Sequence, residues 1–144
     1  MREVMAENGT LYLIDPFHLS RISALNFLKR VARRAVGSCR RGNVSWIQKF
    51  SEQAVRSWNV QIDLLFIDGD HSESAVERDW NDWSRFVAPG GIVIFHDARI
   101  FEDGWTHQEY GPLKLVNRLF RNGGAQDWRI ADEVHSLLVV ERLR

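Results

Sequence analysis

The sequence predicts an α/β protein, a doubly wound and mostly parallel sheet with helices on its faces and an antiparallel hairpin at the C-terminal end. Short apolar runs alternate with segments of three- and four-residue periodicity, the order expected of repeated strand and helix. Two of the runs, Leu64, Leu65, Phe66, Ile67 and Ile92, Val93, Ile94, Phe95, are apolar at every position, which suits parallel strands covered on both faces. The last two runs are joined by a few polar residues, too short a link for a parallel crossover, so they pair antiparallel.

Residues 1–7 read as the end of a helix, with Val4 and Met5 apolar and Asn8-Gly9 as its stop. Residues 11–14 form a buried strand that ends at Asp15-Pro16. Ser20 or Ser23 then caps a helix whose apolar positions are Ile22, Leu25, Phe27, Leu28, Val31 and Ala32, closed by Gly37. A second short strand covers residues 44–48, and Ser51 opens a brief helix carrying Ala54, Val55 and Trp58 on one side. The strand at residues 63–68 ends in acid. Ser72 caps a helix with the stripe Ala75, Val76, Trp80, Trp83, Phe86 and Val87, and Pro89-Gly90-Gly91 makes a sharp turn into the strand that ends at His96-Asp97. Residues 98–110 hold no periodicity and read as a loop over a site, rich in Phe101, Trp105, His107 and Tyr110. Gly111-Pro112 opens a helix through Phe120, and residues 128–131 and 136–141 form the hairpin.

A chain of 144 residues, 44% hydrophobic and 11% aromatic, buries one sizeable core but hardly two, so residues 1–144 are expected to form a single domain. Formal net charge is zero, which steers the chain to neither nucleic acid nor anionic membrane; the arginines at 33, 34, 40 and 41 read as a solvated face. A lone cysteine, Cys39, excludes an internal disulfide framework, and no apolar run approaches the ~20 residues of a membrane span. These features predict a cytoplasmic protein with a small-molecule partner. Homo-oligomerisation is left open.

In open parallel sheets, ligands bind beyond the carboxyl ends of the strands, and here the polar residues gather at those ends. Asp15 follows the first strand, Ser51 and Glu52 the second, Asp68-Gly69-Asp70-His71 the third and His96-Asp97 the fourth. Asp68 and Asp97 come from strands expected side by side, so their carboxylates converge. Two hard oxygen ligands suit Mg2+ better than Zn2+, and His96 would add a nitrogen that shifts the preference toward Mn2+ or Fe2+. His71 at the next helix start reaches a metal-held hydroxyl as general base. The same residues also suit blander roles, the aspartates capping helix and turn and His71 lying on the surface. Trp80 and Trp83 read as core; Trp105 is the better substrate-facing candidate.

The stretch Leu65-Phe66-Ile67-Asp68-Gly69-Asp70-His71-Ser72, then Ala75-Val76 with Asp79-Trp80, then residues 89–98, closely resembles the class I methyltransferases, in the group that contains macrolide sugar O-methyltransferases and cephalosporin hydroxylase-like proteins. It is similar, more distantly, to catechol O-methyltransferase. The resemblance implies a Rossmann-like sheet, S-adenosylmethionine as methyl donor, and a divalent metal orienting an acceptor hydroxyl. Carried over, Asp68 and Asp97 resemble metal ligands with His96 at a third ligand position, and His71 falls where relatives place the general base. Asp15 resembles the acid that holds the cofactor's ribose, and Ser51, with Phe50 or Glu52, matches a loop near the adenine.

The departure concerns the glycine-rich loop that in this family follows the first strand. Residues 1–9 align with the end of the helix after that loop, so the sequence reads as N-terminally truncated, lacking the first strand and its glycine turn. The strands at Leu11 and Asp63 then either pair directly or leave a poorly ordered region, since an unpaired buried backbone group costs about 1–3 kcal/mol. The expected activity is O-methyl transfer to a small-molecule hydroxyl; an inactive shortened chain is the other outcome this departure allows. The alternatives are a metal-dependent hydrolase, which would use Asp70 as a ligand, and a non-catalytic remnant serving as a binding or assembly domain.

Overall fold

The computed structural model describes residues 3, 5–17, 27–38, 40–102 and 104–144, with the side chains of Phe27 and Leu28 excepted. The expected caps Ser20 and Ser23, and with them Ile22, Leu25, His18 and Cys39, lie outside the described residues. The chain forms two compact units, Met1–Ser57 and Trp58–Arg144. Among the described residues no helix is long and apolar enough to cross a membrane.

In the first unit, strand β1 (Thr10–Ile14) pairs in parallel with β2 (Asn43–Ile47), connected through helix α1 (Phe27–Gly37), with Leu13 opposite Trp46. Arg33 of α1 stands over the Trp46 ring at 5.7 Å. Helix α2 (Ser51–Ala54) continues into a 3-10 turn at Val55–Ser57, so Trp58 lies beyond the helix expected to carry it. Most of the stretch expected as a helix end, Met1, Arg2 and Val4 among it, lies outside the described residues. The stop is formed by a turn at Glu7 and Asn8, closed by the Gly9 N–H donating to the Ala6 carbonyl at 3.0 Å.

In the second unit, β3 (Ile62–Ile67) runs parallel to β4 (Val87–Phe95), and β4 is antiparallel to β6 (Leu137–Arg142), which pairs antiparallel with β5 (Trp128–Val134). The order is therefore β3-β4-β6-β5 with β6 reversed, as the hairpin predicts. The described strands fall into two sheets, one in each unit. One face of the larger sheet is covered by helices α3 (Glu73–Trp83) and α4 (Gly111–Val116). Val93, Phe95, Leu138 and Val140 point into that core and are fully buried, and Trp80 packs there against Phe95, Phe120 and Trp128. The opposite face departs from expectation. Leu64 and Phe66 remain 39% and 40% exposed, because β3 has β4 as its single hydrogen-bonded neighbour among the described residues and lies at a sheet edge, not its centre.

The predicted turn at Pro89-Gly90-Gly91 is instead a bulge within β4. Val87 pairs with Ile62 and Ile92 with Leu64, so extra residues are taken up between them. Gly90 supplies a φ of +77°, and a Cβ on Gly91 would meet Val87 Cγ1 at 2.8 Å. The α3 stripe accordingly stops short: the helix ends at Trp83, a 3-10 turn follows at Ser84–Phe86, and Val87 is the first residue of β4. The helix after Gly111 likewise changes pitch, passing into a π turn at Asn117–Arg121 whose Asn117 carbonyl accepts from Asn122 N–H at 3.0 Å.

Candidate functional site

The ends of β3 and β4 bring four of the predicted residues together. The register sets Ile67 opposite Phe95, and the His96 N–H donates to the Ile67 carbonyl at 3.0 Å, so Asp68 and His96 emerge side by side. His96 Nδ1 stands 3.0 Å from Asp68 Oδ1 and 3.6 Å from Asp97 Oδ1. His71, at the entry to α3, places Nε2 3.3 Å from Asp97 Oδ2. Asp68, His71 and His96 each offer a ligand atom within 4.8 Å of the others.

Asp97 is the pivot of this group. It is 4% exposed and adopts a φ of +50°, a left-handed conformation that aspartate tolerates better than most residues. That backbone turns its carboxylate back toward the two histidines. Its Oδ1 also accepts the indole N–H of Trp105 at 2.9 Å.

The residues fit a divalent cation. His96 Nδ1 is buried and lacks a hydrogen-bond partner: Asp68 Oδ1 is close enough for an ion pair but not aligned to accept a hydrogen bond. A buried polar atom left in this way costs about 1–3 kcal/mol, and a cation shared between nitrogen and carboxylate removes that cost. Asp70 stays outside the group. Its Oδ1 accepts the Ser72 N–H at 2.7 Å, and that bond, with the Ser72 side chain, holds its pKa below the ordinary 3.8. Asp70 is thus a turn residue at the start of α3, the role that separates the transferase expectation from the hydrolase one.

The loop over the site is fastened at both ends. The Ala98 N–H donates to the Ser136 carbonyl at 2.9 Å, and the Gly111 N–H to the His71 carbonyl at 3.1 Å. Only glycine permits the second approach, since a Cβ on Gly111 would lie 2.5 Å from the His71 carbonyl oxygen.

The predicted donor-side residues sit in the first unit. Asp15 is exposed at the end of β1, and its Oδ1 accepts the Phe17 N–H, an aspartate turn that leaves the other oxygen available. Phe50, 47% exposed, lines an open depression of about 500 Å³ with Pro16, Gln48 and Gln53. Ser51 and Glu52 occupy the first turn of α2 and do not line it. Gln48 and Gln53 were not among the expected residues; Gln48 was legible only as the polar end of the second strand.

Comparison with known proteins agrees with this architecture. The profile of a methyltransferase domain family matches residues 1–98, and the chain belongs to that family. A structure from Corynebacterium glutamicum is similar over 97% of this chain and 63% of its own, with a TM-score of 0.65 at 18% identity. A proposed rRNA-methylase from Clostridium thermocellum is similar over 99% of this chain and 78% of its own, with a TM-score of 0.60 at 12% identity. In sequence, 58 residues are 36% identical to the uncharacterized protein R132 of Acanthamoeba polyphaga mimivirus, and 49 residues are 35% identical to the uncharacterized protein y4gI of Sinorhizobium fredii (strain NBRC 101917 / NGR234). Those matches cover 40% and 34% of this chain but 24% and 5% of the relatives, so the chain matches only a part of either.

Proposed function

We propose that the chain carries the acceptor and metal side of an S-adenosylmethionine-dependent O-methyltransferase acting on a small-molecule hydroxyl. The observation that carries this reading is the convergence of Asp68, His71 and His96 at two adjacent strand ends in a member of a methyltransferase family. When bound, S-adenosylmethionine supplies an electrophilic methyl group, and a divalent cation, Mg2+ by the two carboxylates, would lower the pKa of the hydroxyl to be methylated.

The chain's own residues divide the work. Asp68 and His96 hold the cation, and Asp97, with a lone pair remaining on Oδ1 beside the Trp105 N–H, completes the set. The Asp97 carboxylate beside His71 Nε2 favours a proton on that nitrogen, which leaves the Nδ1 lone pair to take the acceptor's proton. Asp15 and Phe50 support the donor side, a carboxylate for ribose hydroxyls and an open ring face for adenine, with Ser51 and Glu52 one turn away.

The reading is tested by calorimetric titration of S-adenosylmethionine, with and without Mg2+, into the chain and into a version extended upstream through a glycine-rich strand turn. Binding by either form, weakened by Asp15→Ala, is the expected result. Binding by neither sinks the proposal.

A further inference from the structure

Trp105 is 61% exposed, yet its indole N–H is committed to Asp97. A side chain of this size is normally placed where its apolar faces are covered, with the N–H serving as a polar handle. Here the handle is used and much of the ring stays open. Phe101 meets the ring edge-on, with centroids 5.7 Å apart and planes at 85°. The loop holding Trp105 is also fixed in place. The buried Thr106 hydroxyl donates to the Arg99 carbonyl at 2.6 Å, and the Arg99 guanidinium is bound to Glu133 at 2.9 Å. A second open ring borders the same group, Phe66 at 40% exposure, 6.2 Å from the His96 ring.

We propose that Trp105 serves two roles, as a positioning residue for Asp97 and as the platform on which a planar aromatic acceptor lies, so that the preferred acceptor is an aromatic hydroxyl. This rests on the reading of the Asp68, His96 and Asp97 group as the end that receives the hydroxyl. The flat indole face, with Phe66 and Phe101 nearby, meets a planar ring over its whole area, whereas a puckered saturated ring touches it through only some of its atoms. The two roles are coupled. A ring laid over the indole excludes water from its N–H bond to the carboxylate, and that bond strengthens as the local dielectric falls.

The test uses 2-naphthol and its saturated counterpart decahydro-2-naphthol, titrated with Mg2+ into the 15N-labelled chain. The Trp105 indole N–H resonance, assigned by its loss in Trp105→Phe, and the backbone amides of Phe66 and His96 report binding. The expected result is that 2-naphthol shifts the indole signal and binds about three- to tenfold tighter than the saturated alcohol. Trp105→Ala should bring the two affinities together. Trp105→Phe should keep the preference while weakening Mg2+ binding about tenfold, as loss of an outer-shell hydrogen bond does. Equal affinities in the unmodified chain, a preference that survives Trp105→Ala, or Mg2+ affinity unchanged in Trp105→Phe would each overturn the proposal. None of these readings needs methyl transfer. A chain that shows the ring preference but binds no S-adenosylmethionine in either length upholds the platform and overturns the transferase reading alone.

Discussion

β1 and β2 present Asp15 and Phe50 from strands that contain no fully buried side chain, whereas β3 and β4 present Asp68, His96 and Asp97 from strands whose Ile67, Val93 and Phe95 are at most 7% exposed. The first group is set by local turns, such as the Asp15 carboxylate on the Phe17 N–H and Gln48 on the Pro16 carbonyl. The second is set by register, core packing and a loop fastened at Ser136 and His71. Preorganisation therefore differs along the chain. The ends of β3 and β4 hold their geometry through the core, while a ligand beside Asp15 and Phe50 would meet an open depression.

The contrast can be broken most sharply at Asp68. Its half-exposed side chain lies outside the core, so Asp68→Ala should leave the circular dichroism and melting curve unchanged while reducing Mg2+ affinity by more than the roughly 10- to 100-fold typical of an outer-shell change. A retained affinity would remove Asp68 from the site. The stability half of the comparison is read by urea unfolding. Phe95→Ala should cost about 3–5 kcal/mol, and Leu13→Ala, in the half-buried β1, under about 2 kcal/mol. Equal losses would deny the difference in packing.

A smaller effect is expected at the loop's anchor. Gly111→Ala forces a Cβ against the His71 backbone and should cost about 1–3 kcal/mol in urea unfolding. The smallest effect is at Asp70. Its carboxyl is held below the ordinary 3.8 in the folded chain by the Ser72 N–H, so its contribution is present above that value and is lost as pH falls through the depressed folded pKa. Wild type should exceed Asp70→Ala in stability at neutral pH and converge with it in strong acid. A gap that is constant with pH would show that the aspartate acts through something other than its charge.

Much of this was legible in the sequence, for identifiable reasons. Uniformly apolar runs followed by acid marked β3 and β4, and the short final link fixed the antiparallel hairpin, so the neighbouring ends that bring Asp68, His71, His96 and Asp97 together followed from pattern alone. The bulge at Pro89-Gly90-Gly91 did not follow, because a left-handed glycine serves a turn and a bulge equally well and only pairing with Ile62 and Leu64 decides between them. The exposure of Leu64 and Phe66 was equally hidden, since an apolar residue does not record which strands lie beside it. Trp105 stood out in the loop as an aromatic, but its bond to Asp97 joins residues eight apart through a fold no periodicity encodes.

The most direct test of the central claim, that the ends of β3 and β4 form a divalent-cation site, is titration of Mn2+ as a paramagnetic stand-in for Mg2+ into the 15N-labelled chain. One Mn2+ should selectively broaden the amides of residues 68–71 and 96–98, excess Mg2+ should reverse the broadening, and His96→Ala should abolish it. Broadening that is absent, diffuse over the surface, or unchanged in His96→Ala would contradict it.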